Sequence, residues 1–152
     1  MPVYQESIKV LESLFARDSF FAFATSKDNV PSVRIVDAFY DDYCFYIVVS
    51  GRTQKIREIA LNENVALCHE MYRFTGKAYN IGHPLQPENQ EIRSKLIKVF
   101  EPWYFAHNNE DSNEMYYIKV ELVTGFFHKD GTGYRVDFIN KSAESMPFEF
   151  GE

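Results

Sequence analysis

Cysteine is scarce in this chain of 152 residues: Cys44 and Cys68 are the only two. Two thiols cannot build a disulfide framework, and both lie in apolar, strand-like runs where a free thiol behaves as a small hydrophobe. A reducing, cytoplasmic setting follows as the simpler expectation. Basic charge is also in short supply, with 16 Lys and Arg against 22 Asp and Glu, a net charge of −6 and a pI near 5.2. Such a surface repels polyanions, and no local basic patch offsets it, so nucleic acid is not an expected partner. No apolar run approaches the ~18 residues of a membrane span, and no basic, apolar and small-residue leader opens the chain. The four histidines are scattered without zinc-ligand spacing, so no metal is expected. Repeats, low-complexity stretches and linkers are missing too, which leaves one domain over residues 1–152.

What the chain has in quantity is aromatic side chains, 16% of all residues, mainly fourteen Phe and ten Tyr. Flat rings favour β-structure. Tyr4, Ile8, Leu11 and Phe15 recur at helical spacing opposite Glu6, Lys9, Glu12 and Arg17, predicting an amphipathic helix. Strands are expected over Phe20–Thr25, around Val33–Phe39 and over Cys44–Val49, with turns at Lys27-Asp28-Asn29 and Asp41-Asp42. After Ser50-Gly51-Arg52-Thr53 a short helix carries Ile56, Ile59 and Ala60, then strands follow over Val65–Met71 and Phe74–Ile81. Gly76 inside the second of these marks a bulge or a close backbone approach. Pro87 starts a helix bearing Ile92, Leu96 and Val99, and Pro102 stops it. Alternation around Ile118, Val120 and Leu122, a turn at Gly131-Thr132-Gly133 and a strand over Tyr134–Ile139 complete the pattern, and the tail from Ser142 reads as surface covering. About seven strands in succession with three helices imply a barrel or sandwich, not a parallel sheet.

The segment Val48-Val49-Ser50-Gly51-Arg52-Thr53-Gln54-Lys55 places a glycine, hydroxyls and two cations where a buried strand becomes a helix. Outward-pointing N–H groups, the helix dipole and a nearby ammonium suit a phosphate. Arg34, alone in an apolar strand, needs an anion or solvent, because an unpaired buried charge is costly. Singly, Arg34 reads better as a rim cation paired with a carboxylate, and residues 50–55 as a capped helix with solvated charges. Together they lie on successive antiparallel strands and could meet beside one ligand.

Phe21-Ala22-Phe23-Ala24-Thr25, Pro31-Ser32-Val33-Arg34-Ile35-Val36, Phe45-Tyr46-Ile47, Thr53-Gln54-Lys55-Ile56-Arg57-Glu58-Ile59 and Asn62-Glu63-Asn64-Val65-Ala66-Leu67 occur in order. This ordered set resembles the FMN-binding split barrel of pyridoxamine 5'-phosphate oxidase-related proteins, in its general-stress and nitroimidazole-resistance branch. The resemblance implies a mainly β fold with flanking helices, built as a six- to seven-stranded antiparallel Greek-key split barrel. It implies that Arg34, Lys55 and Thr53 bind the FMN phosphate with Gln54 and Arg52 alongside. Backbone groups of Ile35, Val36, Val48, Val49 and Ser50 would hold the isoalloxazine ring. A homodimer with flavin at its interface is implied as well, with Trp103 and Tyr104 packing on the partner's flavin; a place in the core is the alternative for Trp103. The implied activity is an FMN-dependent oxidoreductase acting on a small electron-poor or quinone-like molecule, with reduced nicotinamide (NAD(P)H) as donor. A flavin-binding stress module without turnover and a ligand-free interaction barrel are the alternatives. The end Met146-Pro147-Phe148-Glu149-Phe150 lacks the basic, His-containing motif of the true oxidase, so pyridoxamine phosphate oxidation is not expected. Ile47-Val48-Val49 lacks the histidine of the nitroimidazole-resistance group.

Replacing Lys55 or Arg34 by Ala is expected to weaken FMN binding by about 1.5–3 kcal/mol, the worth of a hydrogen bond to a charged group. Calorimetric titration measures this, and unchanged affinity in both variants rejects the assignment.

Overall fold

The computed structural model describes residues 1–50 and 52–149. An N-terminal helix α1 (Val3–Phe15) precedes a run of antiparallel strands: β1 (Ser19–Lys27), β2 (Val30–Asp41), β3 (Cys44–Ser50), then helix α2 (Gln54–Leu61), β4 (Asn64–His69) and β5 (Tyr72–Gly82). Helix α3 (Gln90–Val99) and the single turn α4 (Tyr104–His107) cross to β6 (Met115–Lys129), β7 (Thr132–Asp137) and β8 (Ser142–Pro147). The sheet runs β3-β2-β1-β4-β5-β6-β7-β8, and β3 also pairs with β6. That second pairing closes a six-stranded antiparallel barrel, from which β7 and β8 extend as two extra strands.

Turn chemistry sets the register of the hairpins. Asp28 and Asn29 have φ of 52° and 64°, Asp42 and Tyr43 48° and 67°, and Asp130 and Gly131 51° and 83°. Two left-handed residues in a row give the turn whose twist matches paired strands, and Asp, Asn and Gly tolerate it best. The β1–β2 ladder then runs without interruption from Ser19 opposite Ala38 to Lys27 opposite Val30.

Phe21, Phe23, Ile47, Leu67, Phe74, Ile118 and Val120 fill the barrel, and α1 closes one side with Leu11 and Phe15. Phe45 sits edge-on to Phe21 at 5.0 Å, Phe74 at 5.1 Å and Phe15 at 6.0 Å, spacings that favour the rings' quadrupoles. A second cluster lies outside the closure, where Phe39, Leu96, Phe100, Tyr104, Met115 and Tyr117 pack α3 and α4 on β3 and β6.

Gly76 is a bulge, as its position in a strand predicts: the β5–β6 register shifts between Thr75 and Gly76. A Cβ here would lie 2.6 Å from the Glu121 carbonyl oxygen and 2.8 Å from Val120 Cγ1.

Three expectations need correction. The tail from Ser142 is a strand, paired along β7 from Asp137–Ser142 to Thr132–Pro147. None of its residues is buried, so backbone hydrogen bonds rather than an apolar face define it, and alternation could not reveal it. The strand expected over Tyr134–Ile139 ends at Asp137, whose side chain accepts hydrogen bonds from the N–H groups of Ile139 and Asn140 at 3.0 Å each. A fourth helix, α4, is too short for any periodicity to register. Among the described residues no helix is long and apolar enough to cross a membrane. Nor could any group of three or more His, Cys, Asp or Glu among those residues hold a metal ion.

Substituting Gly76 by Ala is expected to destabilise the barrel by about 1–3 kcal/mol through overpacking against β6. A lowered urea midpoint with an unchanged slope would register this; equal midpoints would show that the bulge absorbs a methyl group.

Candidate functional site

The strand-helix junction stands beside the outer face of β2. Period-two alternation turns Val33 and Ile35 outward, each 68% exposed, and Phe20 on β1 stands on the same face at 60%. Ile35, Val36 and Asp37 of β2, Val48 of β3, Lys55 of α2, and Trp103, His107 and Asn108 around α4 wall a cavity of about 430 Å³, with Asp18 and Phe20 on its remaining side. This volume falls in the usual range of small-ligand and cofactor sites. Five residues marked in the sequence meet here: Ile35, Val36, Val48, Lys55 and Trp103.

Lys55 is half-buried, and among the described residues its ammonium has no carboxylate within ion-pair reach. Burial pushes its pKa down, and the Arg34 charge pushes it the same way, so the two cations are close enough to repel. The helix that carries Lys55 opens without a side-chain cap: Thr53, its N-cap residue, spends its hydroxyl on the Ser50 carbonyl at 2.9 Å. Uncapped N–H groups and a counter-ion deficit therefore coincide at one place. Gly51, part of the same junction, lies outside the described residues.

Arg34 does have a partner. Its guanidinium donates to the Phe23 carbonyl at 3.2 Å and to Thr25 Oγ1 at 2.8 Å, and Nη2 lies 3.5 Å from Glu58 Oε2. Glu58 is buried on α2 and accepts hydrogen bonds from Thr25, Gln54 and, at 3.1 Å, Ser32. The Thr25 hydroxyl first, and then Gln54, Ser32 and Arg34, hold this carboxyl below the usual range against the opposing effect of burial. The paired-cation reading of Arg34 thus describes part of its surroundings, and its side chain remains 23% exposed.

The other marked residues are distributed around the cavity without lining it. Gln54 belongs to the Glu58 cluster, Val49 points into the barrel core, and Ser50 is exposed at the strand end. Arg52 is exposed and ion-paired to Glu114 at 2.5 Å. Trp103 stacks on Phe100 at 4.5 Å at the edge of the second cluster, in line with the alternative place in the core, and it also walls the cavity. Tyr104 is a correction. Fully buried, it turns away from the cavity, so it cannot cover a ligand held by a partner chain. Its hydroxyl donates to Glu110 Oε2 at 2.8 Å and shares a 2.5 Å hydrogen bond with Tyr117, while Arg93 grips Glu110 through two bonds of 2.8 and 2.6 Å. This network ties α3, α4 and β6 together behind Trp103.

Sequence reasoning missed Asp18, Asp37, His107 and Asn108. Trp103 Nε1 donates to Asp18 Oδ2 at 2.9 Å. Asp37 is pushed up to about 7, first by burial, then by a hydrogen bond to Asp18 and by that residue's charge. An acid within an apolar strand was the available signal, the same one that exposed Arg34.

A roomier hollow of about 770 Å³ lies across β4 to β8, but it gathers none of the marked residues. Its cations are engaged locally: Arg73 lies over the Phe126 ring at 4.9 Å, and Arg135 is 3.8 Å from Glu144. The smaller cavity, with an uncompensated cation, is the better candidate.

No family model matches the chain. No curated protein matches it. Solved structures do resemble it. One is a NimC/NimA family protein from Clostridium acetobutylicum, at 16% identity over 93% of this chain and 94% of that chain, with a TM-score of 0.58. Another is a pyridoxamine 5'-phosphate oxidase-related, FMN binding protein from Nostoc punctiforme, at 12% identity over 98% of each chain, TM-score 0.58. HutZ, the heme storage protein from Vibrio cholerae, aligns at 11% identity over 80% of this chain and 91% of that one, TM-score 0.60. At such identities the likeness is one of fold, and it agrees with the split barrel expected from the sequence.

Removing the Tyr104 hydroxyl (Tyr104→Phe) leaves Tyr117 without its partner and Glu110 short of one donor. A loss of about 1–3 kcal/mol of stability is expected from chemical denaturation; an unchanged midpoint would mean the network adds nothing to folding.

Proposed function

We propose that the 430 Å³ cavity is a flavin site and that its ligand is FMN. The phosphate would lie at the uncapped start of α2 between Lys55 and Arg34, and the ring would lie against Ile35, Val36, Val48 and Trp103. The observation that carries this is the half-buried Lys55 ammonium, which has no counter-ion among the described residues and has a second cation beside it. A doubly ionised phosphate monoester would neutralise Lys55 and accept hydrogen bonds from the exposed part of the Arg34 guanidinium and from the free N–H groups of the helix start. Apolar walls with one aromatic plane suit the rest of such a molecule. That one protein of the same fold is named as FMN binding adds weight.

The exposed apolar stripe of Phe20, Val33 and Ile35 borders the cavity, and a second copy of the chain laid over it would exclude water from the ring. A homodimer with the flavin at its interface is the reading this supports. The free thiols Cys44 and Cys68 fit a cytoplasmic setting.

Bound flavin supplies two-electron transfer. The chain's own part is to grip the phosphate through Lys55 and Arg34, to orient the ring between β2, β3 and Trp103, and to keep it dry. Glu58 holds Arg34 in place, and its carboxylate is fixed by Thr25, Ser32 and Gln54. On this reading the protein is an oxidoreductase that passes electrons from reduced nicotinamide to a small electron-poor or quinone-like molecule. A binding module without turnover is the second reading, favoured by the occurrence of a named storage protein with the same fold. Steady-state assays with reduced nicotinamide and a panel of acceptors separate the two.

The absorption spectrum of the native protein is expected to show flavin bands, and the stripped protein to take up FMN. Because Lys55 meets only the phosphate, Lys55→Ala should lower FMN affinity roughly 10- to 150-fold and leave riboflavin affinity within about two-fold. Colourless protein that binds neither compound would sink the proposal.

A further inference from the structure

Two carboxylates face the candidate cavity, and neither is used in holding a phosphate. Asp18 lies in the turn between α1 and β1, and Asp37 lies on β2 opposite Phe20 in the ladder. Alternation places Asp37 on the outer face with Val33 and Ile35, and Phe20, two residues beyond Asp18, occupies the neighbouring place on β1. The two acids are hydrogen-bonded to each other at the cavity wall. Two ionised carboxylates at that distance repel, so one of them keeps a proton. Geometry decides which. Trp103 Nε1 donates to Asp18 Oδ2 at 2.9 Å, so Asp18 already serves as an acceptor there, and Asp37, whose carboxyl is the one pushed up, is the donor of the pair. Burial first, and Asp18 second, extend the protonated range of Asp37 to about pH 7. The other titratable or charged groups facing the cavity are Lys55 from α2 and His107 from α4, and neither has a hydrogen bond or ion pair to Asp37 or Asp18 among the described residues.

We infer that Asp37 is the ring-recognising residue of this cavity: its carboxylic O–H donates to an acceptor, a carbonyl oxygen or imine nitrogen, on the edge of the ligand's ring. Asp18, anchored by Trp103, is a positioning residue that keeps the proton on Asp37 until the ring acceptor takes over the hydrogen bond. The inference rests on the flavin reading of the cavity and adds the group that selects the ring. Such a donor is lost when Asp37 ionises, and a second negative charge then faces the acceptor. Ring affinity therefore falls as pH rises through the Asp37 range. A phosphate has the opposite sign, since its second ionisation near pH 6 strengthens attraction to Lys55 and Arg34. FMN affinity should peak between the two limits, whereas riboflavin, which has no phosphate, should show the alkaline decline alone.

The experiment is a riboflavin titration, followed by quenching of ligand fluorescence from about pH 5 to about pH 9, with FMN in parallel; the expected limit is about a tenfold loss of affinity per pH unit once Asp37 is ionised. Asp37→Asn should flatten the alkaline decline, because an amide donates without titrating. Removing the Asp18 charge in Asp18→Asn should move the decline to lower pH with its slope preserved, a shift that a merely structural role would not produce. His107→Gln should leave the decline in place. Riboflavin bound by the wild-type protein with a flat profile, or a decline that persists unchanged in Asp37→Asn, overturns this inference and spares the flavin site. Failure of both riboflavin and FMN to bind at any pH overturns the two together.

Discussion

Pairing of β3 with β6, rung by rung from Cys44–Glu121 to Ser50–Met115, is the constraint on which the rest of the molecule hangs. A sheet with the strand order β3-β2-β1-β4-β5-β6 has two open edges, and joining them removes both. Closure seals an interior rich in Phe and Ile and leaves an outer face on β3 and β6, where Val48 pairs with Tyr117, for α3 and α4 to cover. It also fixes where β3 ends, and with it the position and direction of α2. The start of that helix consequently stands beside β2, and the cavity exists because three elements from distant parts of the chain converge there.

Among the described residues, every half-buried Lys or Arg except Lys55 has a carboxylate in ion-pair reach. Arg34 meets Glu58, Arg93 meets Glu110 and Lys95 meets Asp41 at 3.0 Å. Exposed pairs such as Arg52–Glu114 add little to stability, but the partly buried pairs matter because a lone charge in their place would be costly. Lys55 breaks this pattern with a half-buried ammonium that has no carboxylate in ion-pair reach among the described residues, and Asp37 breaks it with a carboxyl held close to another carboxyl. Both departures lie on the walls of one cavity. Folded proteins tolerate such local costs where a ligand offsets them, so incomplete electrostatics say more here than size: the roomier hollow over β4 to β8 has its arginines already engaged.

Much of the fold was legible because it rests on local patterns. The amphipathic spacing of α1, the left-handed turns at Asp28-Asn29 and Asp42-Tyr43, and the bulge at Gly76 each have a signature within a few residues. β8 had none, since an edge strand without a buried face is held by backbone hydrogen bonds that every residue type can make. Of the residues marked for ligand binding, those lining the cavity sit on β2, β3 and α2, where strand alternation and the junction already set direction, and, for Trp103, at the start of α4. Tyr104 adjoins Trp103 in the chain yet points the other way, because one turn of helix sends neighbouring side chains to different faces.

By itself the sequence determined the β-rich class, the hairpin turns at Lys27-Asp28-Asn29 and Asp41-Asp42 and the meeting of a buried strand with a cation-bearing helix start, all consequences of short-range sterics and periodicity. Only the tertiary structure decided that β3 closes on β6, that Arg34 leans on Glu58 while Lys55 has no ion-pair partner among the described residues, and that Asp18 and Asp37 share a wall with Trp103. These are contacts between residues as many as 85 positions apart, as in the Trp103–Asp18 bond. No local pattern encodes them, because they depend on where barrel closure carries each strand end.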